Sequence, residues 1–195
     1  MYLAFFKPYG VLSQFTQPPD SNKDTLASFD FPKDVYPIGR LDWDSEGLLL
    51  LSDDPRLNSA LLDPKHAHPR TYFVQVENIP HNEAISQLQR GVIIESRKTL
   101  PAAARLIEEP DLPARAVPIR ERKSIPTAWI SLTLTEGRNR QVRKMTAAVG
   151  FPTLRLMRVA IGALRLEELS LQPGDWKRLN EAEIMRVFQQ SRSED

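Results

Sequence analysis

Short apolar runs punctuated by glycine and proline dominate the chain, with strand-like alternation in some segments and helical spacing in others. Leu48-Leu49-Leu50-Leu51 is an unbroken apolar block between Gly47 and the turn residues Ser52-Asp53-Asp54-Pro55. A run this short predicts a buried strand rather than a helix. Met1 to Phe6 predicts a first strand, closed by Pro8 and Gly10. Thr71 to Val76 alternates, with Tyr72, Val74 and Val76 on one face and Phe73 and Gln75 on the other. Ala128 to Leu134 presents Ile130, Leu132 and Leu134 together, and Arg155–Ala160 and Trp176–Leu179 are further strands.

Helical spacing takes over in four places. Asp54-Pro55 reads as an N-cap with proline at the first helical position, carrying Leu57, Ala60 and Leu61 inward. Asn82 to Arg90 forms a short helix ended by Gly91. After Gly137, Asn139 caps a helix whose Val142, Met145 and Val149 make a narrow apolar stripe, with Gly150 as its stop. Arg140, Arg143 and Lys144 fall on one flank of that helix. Asn180-Glu181-Ala182-Glu183 opens a last helix with a capping box, carrying Ile184, Met185 and Phe188. Gln14–Asp24 and the basic segment Asp111–Ser124 read as exposed loops, the second of them mobile. Without strict βαβ alternation, the pattern predicts an α+β fold, a mostly antiparallel mixed sheet flanked by helices. Residues 1–190 form a single domain, with room for two lobes, and residues 191–195 a disordered tail.

Composition narrows the chemistry. There is no cysteine, so disulfides, thiolate metal sites and cysteine nucleophiles are excluded. No apolar stretch approaches a membrane span, and the opening residues are too short and wrongly ordered for a signal peptide, which fits a cytoplasmic protein. A formal charge of +1 argues against a globally basic coat, yet charge is uneven. From Glu136 to Arg158 six basic residues face one acid, while the segment after Leu166 is rich in Glu and Asp. A basic face of this kind suits a polyanion partner.

The densest chemistry lies in Gly39-Arg40-Leu41-Asp42-Trp43-Asp44-Ser45-Glu46-Gly47, three carboxylates and an arginine between two glycines, feeding straight into the leucine block. Such a loop is pinned to the core, where a scaffold holds a group rigidly yet leaves it reachable. Asp42-x-Asp44-x-Glu46-Gly47 imitates a calcium loop, but Pro37 and Gly39 precede it where a helix should be, and leucines fill its second half. His66-x-His68 lacks a third ligand at suitable spacing. Neither a P-loop nor a glycine-rich nucleotide fingerprint is present, and nothing resembles a Ser-His-Asp set with a nucleophile elbow. What remains is carboxylate chemistry beside a basic surface. A lone aspartate on a glycine-bounded turn is ordinarily a cap, but here Lys7, Tyr72 and Arg143 accompany it.

In order along the chain, Lys7-Pro8-Tyr9-Gly10, Gly39-Arg40-Leu41-Asp42 with Gly47-Leu48-Leu49-Leu50-Leu51, Arg70-Thr71-Tyr72 and Glu136-Gly137-Arg138-Asn139-Arg140-Gln141-Val142-Arg143-Lys144-Met145 closely resemble the motifs of bacterial ribosomal RNA pseudouridine synthases. The branch is the one that includes ribosomal small subunit pseudouridine synthase A. Leu156-x-Arg158-x-x-Ile161-Gly162 and Leu171-x-Pro173-Gly174-x-Trp176-x-x-Leu179 are similar to that family's C-terminal pattern. Most members of the branch carry a small N-terminal RNA-binding domain. This chain opens directly on the catalytic motifs, as the compact large-subunit member does, which implies a target in 23S rRNA near the peptidyl transferase region.

The resemblance implies a two-lobed catalytic fold with a central cleft, and isomerisation of uridine to pseudouridine without metal, redox or nucleotide cofactor. It maps the nucleophilic aspartate onto Asp42, an active-site tyrosine that stacks on the extruded base onto Tyr72, and the basic partner of the aspartate onto Arg143. A guanidinium beside Asp42 would keep it charged in a cleft that excludes water. Asp44 and Glu46 are then expected to face solvent or cap the turn. Arg40 fills the vacated space or holds a flanking phosphate, and Lys7, Arg138, Arg140 and Lys144 grip the RNA backbone. The partner is ribosomal RNA or a ribosome-assembly intermediate, met by a monomer. A catalytically silent RNA-binding or assembly factor on the same fold is the alternative, opposed by the joint presence of Asp42, Tyr72 and Arg143. A carboxylate glycosidase is disfavoured by the lack of a second well-placed acid.

Overall fold

The computed structural model describes residues 1–119 and 124–189. The tail expected beyond residue 190 and part of the basic loop, residues 120–123, lie outside the described residues. Thirteen strands run in chain order among them: β1 (Tyr2–Lys7), β2 (Val11–Leu12), β3 (Asp24–Thr25), β4 (Tyr36–Ile38), β5 (Glu46–Ser52), β6 (Arg70–Glu77), β7 (Ile93–Ile94), β8 (Arg97–Lys98), β9 (Ala103–Ile107), β10 (Thr127–Leu134), β11 (Thr153–Ile161), β12 (Leu164–Arg165) and β13 (Trp176–Arg178). Four α-helices accompany them: α1 (Arg56–Leu62), α2 (Asn82–Arg90), α3 (Gln141–Ala148) and α4 (Glu181–Phe188). The main sheet is mixed but mostly antiparallel, in the order β13-β1-β5-β11-β6-β10-β9, with β4 alongside β5 and β12 alongside β11. The fold is α+β, as the pattern predicts.

The leucine block is β5, paired antiparallel with β1 in the register Leu3↔Leu51 and Phe5↔Leu49. Both faces of this pair are buried. Leu3, Phe5, Leu49 and Leu51 enter a cluster with Val11, Leu26 and Leu41, while Ala4, Phe6, Leu48 and Leu50 enter another with Leu57, Leu61, Met157 and Leu164. Each fully buried leucine contributes about 1.5–3 kcal/mol relative to exposure, so β5 is a rigid anchor for the loop that precedes it. The other half of the sheet has its own core, where Val74, Val76, Ile130, Leu132 and Leu134 meet Ala84 and Leu88 of α2 and Val142 and Met145 of α3.

The halves join where β5 and β11 run parallel, in the register Met157↔Glu46 and Arg158↔Gly47. Gly47 has φ +104°, and a Cβ there would lie 2.3 Å from the Arg158 carbonyl oxygen. Only glycine lets the strands approach this closely. The seam therefore sets the Asp42 loop directly beside β11.

Three local expectations differ. Pro55 occupies the cap of α1, with Asp54 Oδ1 accepting from the Arg56 N–H one residue further out at 3.0 Å, and Ala60 is only half-buried. In α4, Met185 and Phe188 are exposed while Val187 is buried. The reason is the close seat of this helix's end on the β11–β12 turn, where the Ala163 N–H donates to Arg186 O at 2.9 Å and a Cβ on Gly162 would lie 2.1 Å from Val187 O. Helix α3 is not capped by Asn139, because Arg140 holds the cap position in the left-handed region at φ 52°, ψ 35°.

Candidate active site

The loop bearing Asp42 is clamped by its backbone on three sides. Ser13 Oγ donates to Leu41 O at 2.8 Å and accepts from the Leu41 N–H at 3.1 Å. The Gly10 N–H donates to Trp43 O at 2.9 Å. Lys7 Nζ donates to Ser45 O at 2.7 Å and to Pro8 O at 2.9 Å. Asp42 thus sits between fixed neighbours with its own carboxylate open, its side chain 31% exposed.

Lys7, expected at the RNA backbone, is instead fully buried beneath this loop. The turn made by Pro8 and Gly10 folds the loop over it, so its ammonium is buried against backbone carbonyls. Burial drives its pKa from 10.5 down to about 7, against the pull of Glu46, Asp44 and Asp42.

The arginine partners also differ from expectation. Arg143 pairs with Asp44, its Nε 3.4 Å from Asp44 Oδ2 and its Nη2 donating to Asp44 O at 2.6 Å. The basic group nearest Asp42 is Arg140, with Nη1 3.7 Å from Asp42 Oδ2 and a two-pronged bond to Asp44 at 2.9 and 2.8 Å. The left-handed backbone at Arg140 aims that fork. A non-glycine residue pays about 1–2 kcal/mol for such a conformation, and the bidentate pair offsets it. Although burial raises the Asp44 pKa, the Arg140 bonds and the charges of Arg143 and Arg140 hold it below the usual carboxylate range. Glu46, expected to face solvent or cap the turn, is buried and bound by Arg155 at 3.0 and 2.8 Å. Asp44 and Glu46 are therefore engaged struts, and Asp42 is the least committed acid of the loop, held by the longer Arg140 contact.

A cleft of about 600 Å³ opens over Asp42. Its walls include Tyr72 of β6, Leu134 of β10, Leu156 and Arg158 of β11 and the turn before α3. Arg40 is exposed on its rim, held by Gln14 Oε1 at 3.0 Å. Arg138 also lines the cleft but spends its fork on the β7–β8 hairpin, donating to Ile94 O at 2.9 Å and Arg97 O at 3.3 Å. Lys144 is ion-paired with Glu95 in the turn of that hairpin. Arg138 and Lys144 thus anchor the hairpin rather than standing free. Glu136, the other acid of the cleft, accepts from the Leu100 N–H at 2.8 Å and from Gln141 Nε2 at 2.6 Å.

Among the described residues no cluster of three or more His, Asp or Glu could hold a metal ion. His66 and His68 each place a ring nitrogen on a backbone carbonyl, of Ser59 at 3.1 Å and Val187 at 2.6 Å, and do not converge.

The partly exposed Asp42 on its braced loop shares the cleft with Tyr72 and several arginines. The model of the family described as RNA pseudouridylate synthase matches residues 1–148. The chain belongs to that family. It is 52% identical over 187 residues to ribosomal large subunit pseudouridine synthase E of Xanthomonas campestris pv. campestris, covering 95% of this chain and 98% of that protein. It is 32% identical over 188 residues to ribosomal small subunit pseudouridine synthase A of Salmonella typhimurium, covering 95% and 73%. A crystal structure of a pseudouridylate synthase superposes with a TM-score of 0.75 at 29% identity, covering 95% of this chain and 73% of that one.

In this pseudouridine synthase the tertiary structure brings Asp42, Tyr72 and Arg140 to one cleft, with Arg143 one step behind. Sequence reasoning missed Ser13, Glu46 with Arg155, and the buried arginines Arg70 and Arg158. Arg158 carried a signal, since it lies in a motif that resembles the family. Ser13 carried none, because its role exists only once β1 and β5 pair.

Proposed function

We propose that this synthase isomerises uridine to pseudouridine in ribosomal RNA, in 23S rRNA near the peptidyl transferase region, with Asp42 as nucleophile. The observation that carries the reading is the state of the acids in and around the cleft: Asp44, Glu46 and Glu136 accept close bonds from protein donors, whereas Asp42, which lines the cleft, has among the described residues only the 3.7 Å contact with Arg140 Nη1. The large-subunit target rests on the 52% identity to a protein named as a large-subunit synthase.

The chemistry follows from the arrangement. The uridine is extruded into the cleft, because its glycosidic bond is unreachable in folded RNA. Tyr72 offers its ring to the base. Asp42 attacks ribose C1′, the bond to N1 breaks, the uracil turns and C5 takes the place of N1 as Asp42 departs. The C5 proton is lost and N1 gains one, so atoms and electrons balance without an external oxidant or nucleotide. Arg140 and Arg143, acting through Asp44, fix where Asp42 stands. Enclosure by the cleft protects the activated sugar from water.

The test is Asp42→Asn on unmodified 23S rRNA transcript, with pseudouridine mapped by carbodiimide and primer extension. The amide retains shape but cannot form the ester, so modification is lost while RNA affinity stays near wild type. A variant that keeps a tenth of the wild-type rate, far above the residue left by removing a nucleophile (on the order of a millionth), removes Asp42 from the role. Binding without modification by the wild-type protein would instead favour an assembly factor.

A further inference from the structure

Two arginines in the cleft have no acid to answer them. Arg158, on β11, and Arg70, at the start of β6, are only 4% and 8% exposed. Among the described residues neither has a carboxylate within ion-pair distance, and buried nitrogens on both, Arg158 Nη2 and Arg70 Nε, lack any hydrogen-bond acceptor. Arg158 spends its Nε on Leu48 O at 2.7 Å and interacts with the Tyr72 side chain. Arg70 lies against the Gly137 turn, 3.1 Å from where a Cβ would stand. Burial pushes the Arg158 guanidinium below its ordinary pKa, and the charge of Arg70 adds to that. A buried cation with free donors is expensive to hold. Arg143, Arg140 and Arg155 in the same region all have acids; these two do not.

Both side chains line the wall that also presents Tyr72, Leu134 and Leu156. The group that fits this wall is flat and apolar on its faces and carries anionic oxygen on its edge. A backbone phosphate fits poorly, being apolar nowhere and better met by exposed groups such as Arg40 at the rim. Resting on the Asp42 reading, we propose that Arg158 and Arg70 bind the uracil ring as it detaches from the ribose, donating to its carbonyl oxygens. When C1′ bonds to the Asp42 carboxylate and the C1′–N1 bond breaks, the electron pair leaves with the ring. No proton moves in that step, so the uracil departs as an anion with its charge spread over N1, O2 and O4. Donors that are fixed, buried and unsatisfied before the reaction favour that charge selectively as it develops. They also hold the free ring in the cleft while it turns.

The experiment uses Arg158→Ala, Arg158→Lys and Arg70→Ala, with RNA affinity, its salt dependence and single-turnover rates at saturating 23S rRNA transcript. The expected result is affinity within about twofold of wild type, an unchanged salt slope and a rate lower by roughly 100-fold or more, the scale of losing one oxyanion donor. Millimolar guanidinium should restore part of the rate of Arg158→Ala without changing its affinity, which a merely structural role would not allow. A salt slope smaller by about one with the saturated rate retained would make the arginines phosphate contacts and overturn the proposal. So would full activity in all three variants. If Arg158→Ala does not fold, the lysine variant and Arg70→Ala carry the same comparison. Asp42→Asn run in parallel separates the two readings: an active Asp42→Asn sinks the nucleophile, whereas a dead Asp42→Asn beside active arginine variants sinks only this inference.

Discussion

Lys7→Met tests the site at its least obvious support. The substitution keeps the length of the side chain and removes the ammonium that bonds Ser45 O and Pro8 O. In the wild type the folded pKa, about 7, lies below the ordinary 10.5. Between those values the unfolded chain holds a proton that the folded chain does not, so folding stability rises with pH across that window. Below about pH 7 both states are protonated and the charge is a constant penalty. At about 1.4 kcal/mol per pH unit, the whole interval amounts to roughly 5 kcal/mol, of which about 2 falls between pH 7 and 9. Urea unfolding of wild type and Lys7→Met at pH 6, 7, 8 and 9 isolates this, because other titrating groups cancel in the difference. The wild type should gain on the variant steadily above pH 7 and not below it. A flat difference from pH 7 to 9 would refute the claim that the ammonium is desolvated. In activity, the variant leaves two carbonyls without their donor and loosens the Asp42 loop, so the single-turnover rate falls while RNA affinity and its salt slope hold. A reduced slope would return Lys7 to the RNA backbone.

Three further outcomes can be checked. Glu46→Gln leaves the Arg155 charge buried without its acid and should lower unfolding free energy by about 3–5 kcal/mol in denaturant titration; a loss under 1 kcal/mol would mean the pair is solvated. Arg40→Ala, on the exposed rim, should reduce the slope of log affinity against log salt by about one in binding titrations, and an unchanged slope would turn that rim away from RNA. Turnover on an RNA target folded in monovalent salt should survive exhaustive EDTA treatment, since the histidine rings are committed to backbone carbonyls and the loop acids to arginines. Reversible loss on chelation would contradict chemistry carried by side chains alone.

The sequence by itself determined the four helices, every strand on the main sheet's path but β9, and the loop that carries Asp42. Periodicity is a local property, and it located β6, β10 and α2 nearly to the residue because each has one face in a core and a clear stop, such as Gly91 at φ 82°. The leucine block reads as a buried strand, and that placed Asp42 on a loop pinned to the core before any packing was known. The motifs around it sufficed to suggest the family. The tertiary structure alone decided which charge meets which. Arg140 and Asp44 are 96 residues apart, and Arg155 and Glu46 are 109 apart. Those pairings depend on the β5–β11 register and on one left-handed residue ahead of α3, neither of which leaves a periodic trace. Lys7 beside a Pro-Gly turn reads as exposed until the loop from β5 folds over it. Arg158 counts in the basic stretch from Glu136 to Arg158 until the sheet closes around it, because burial is a property of what arrives from elsewhere in the chain.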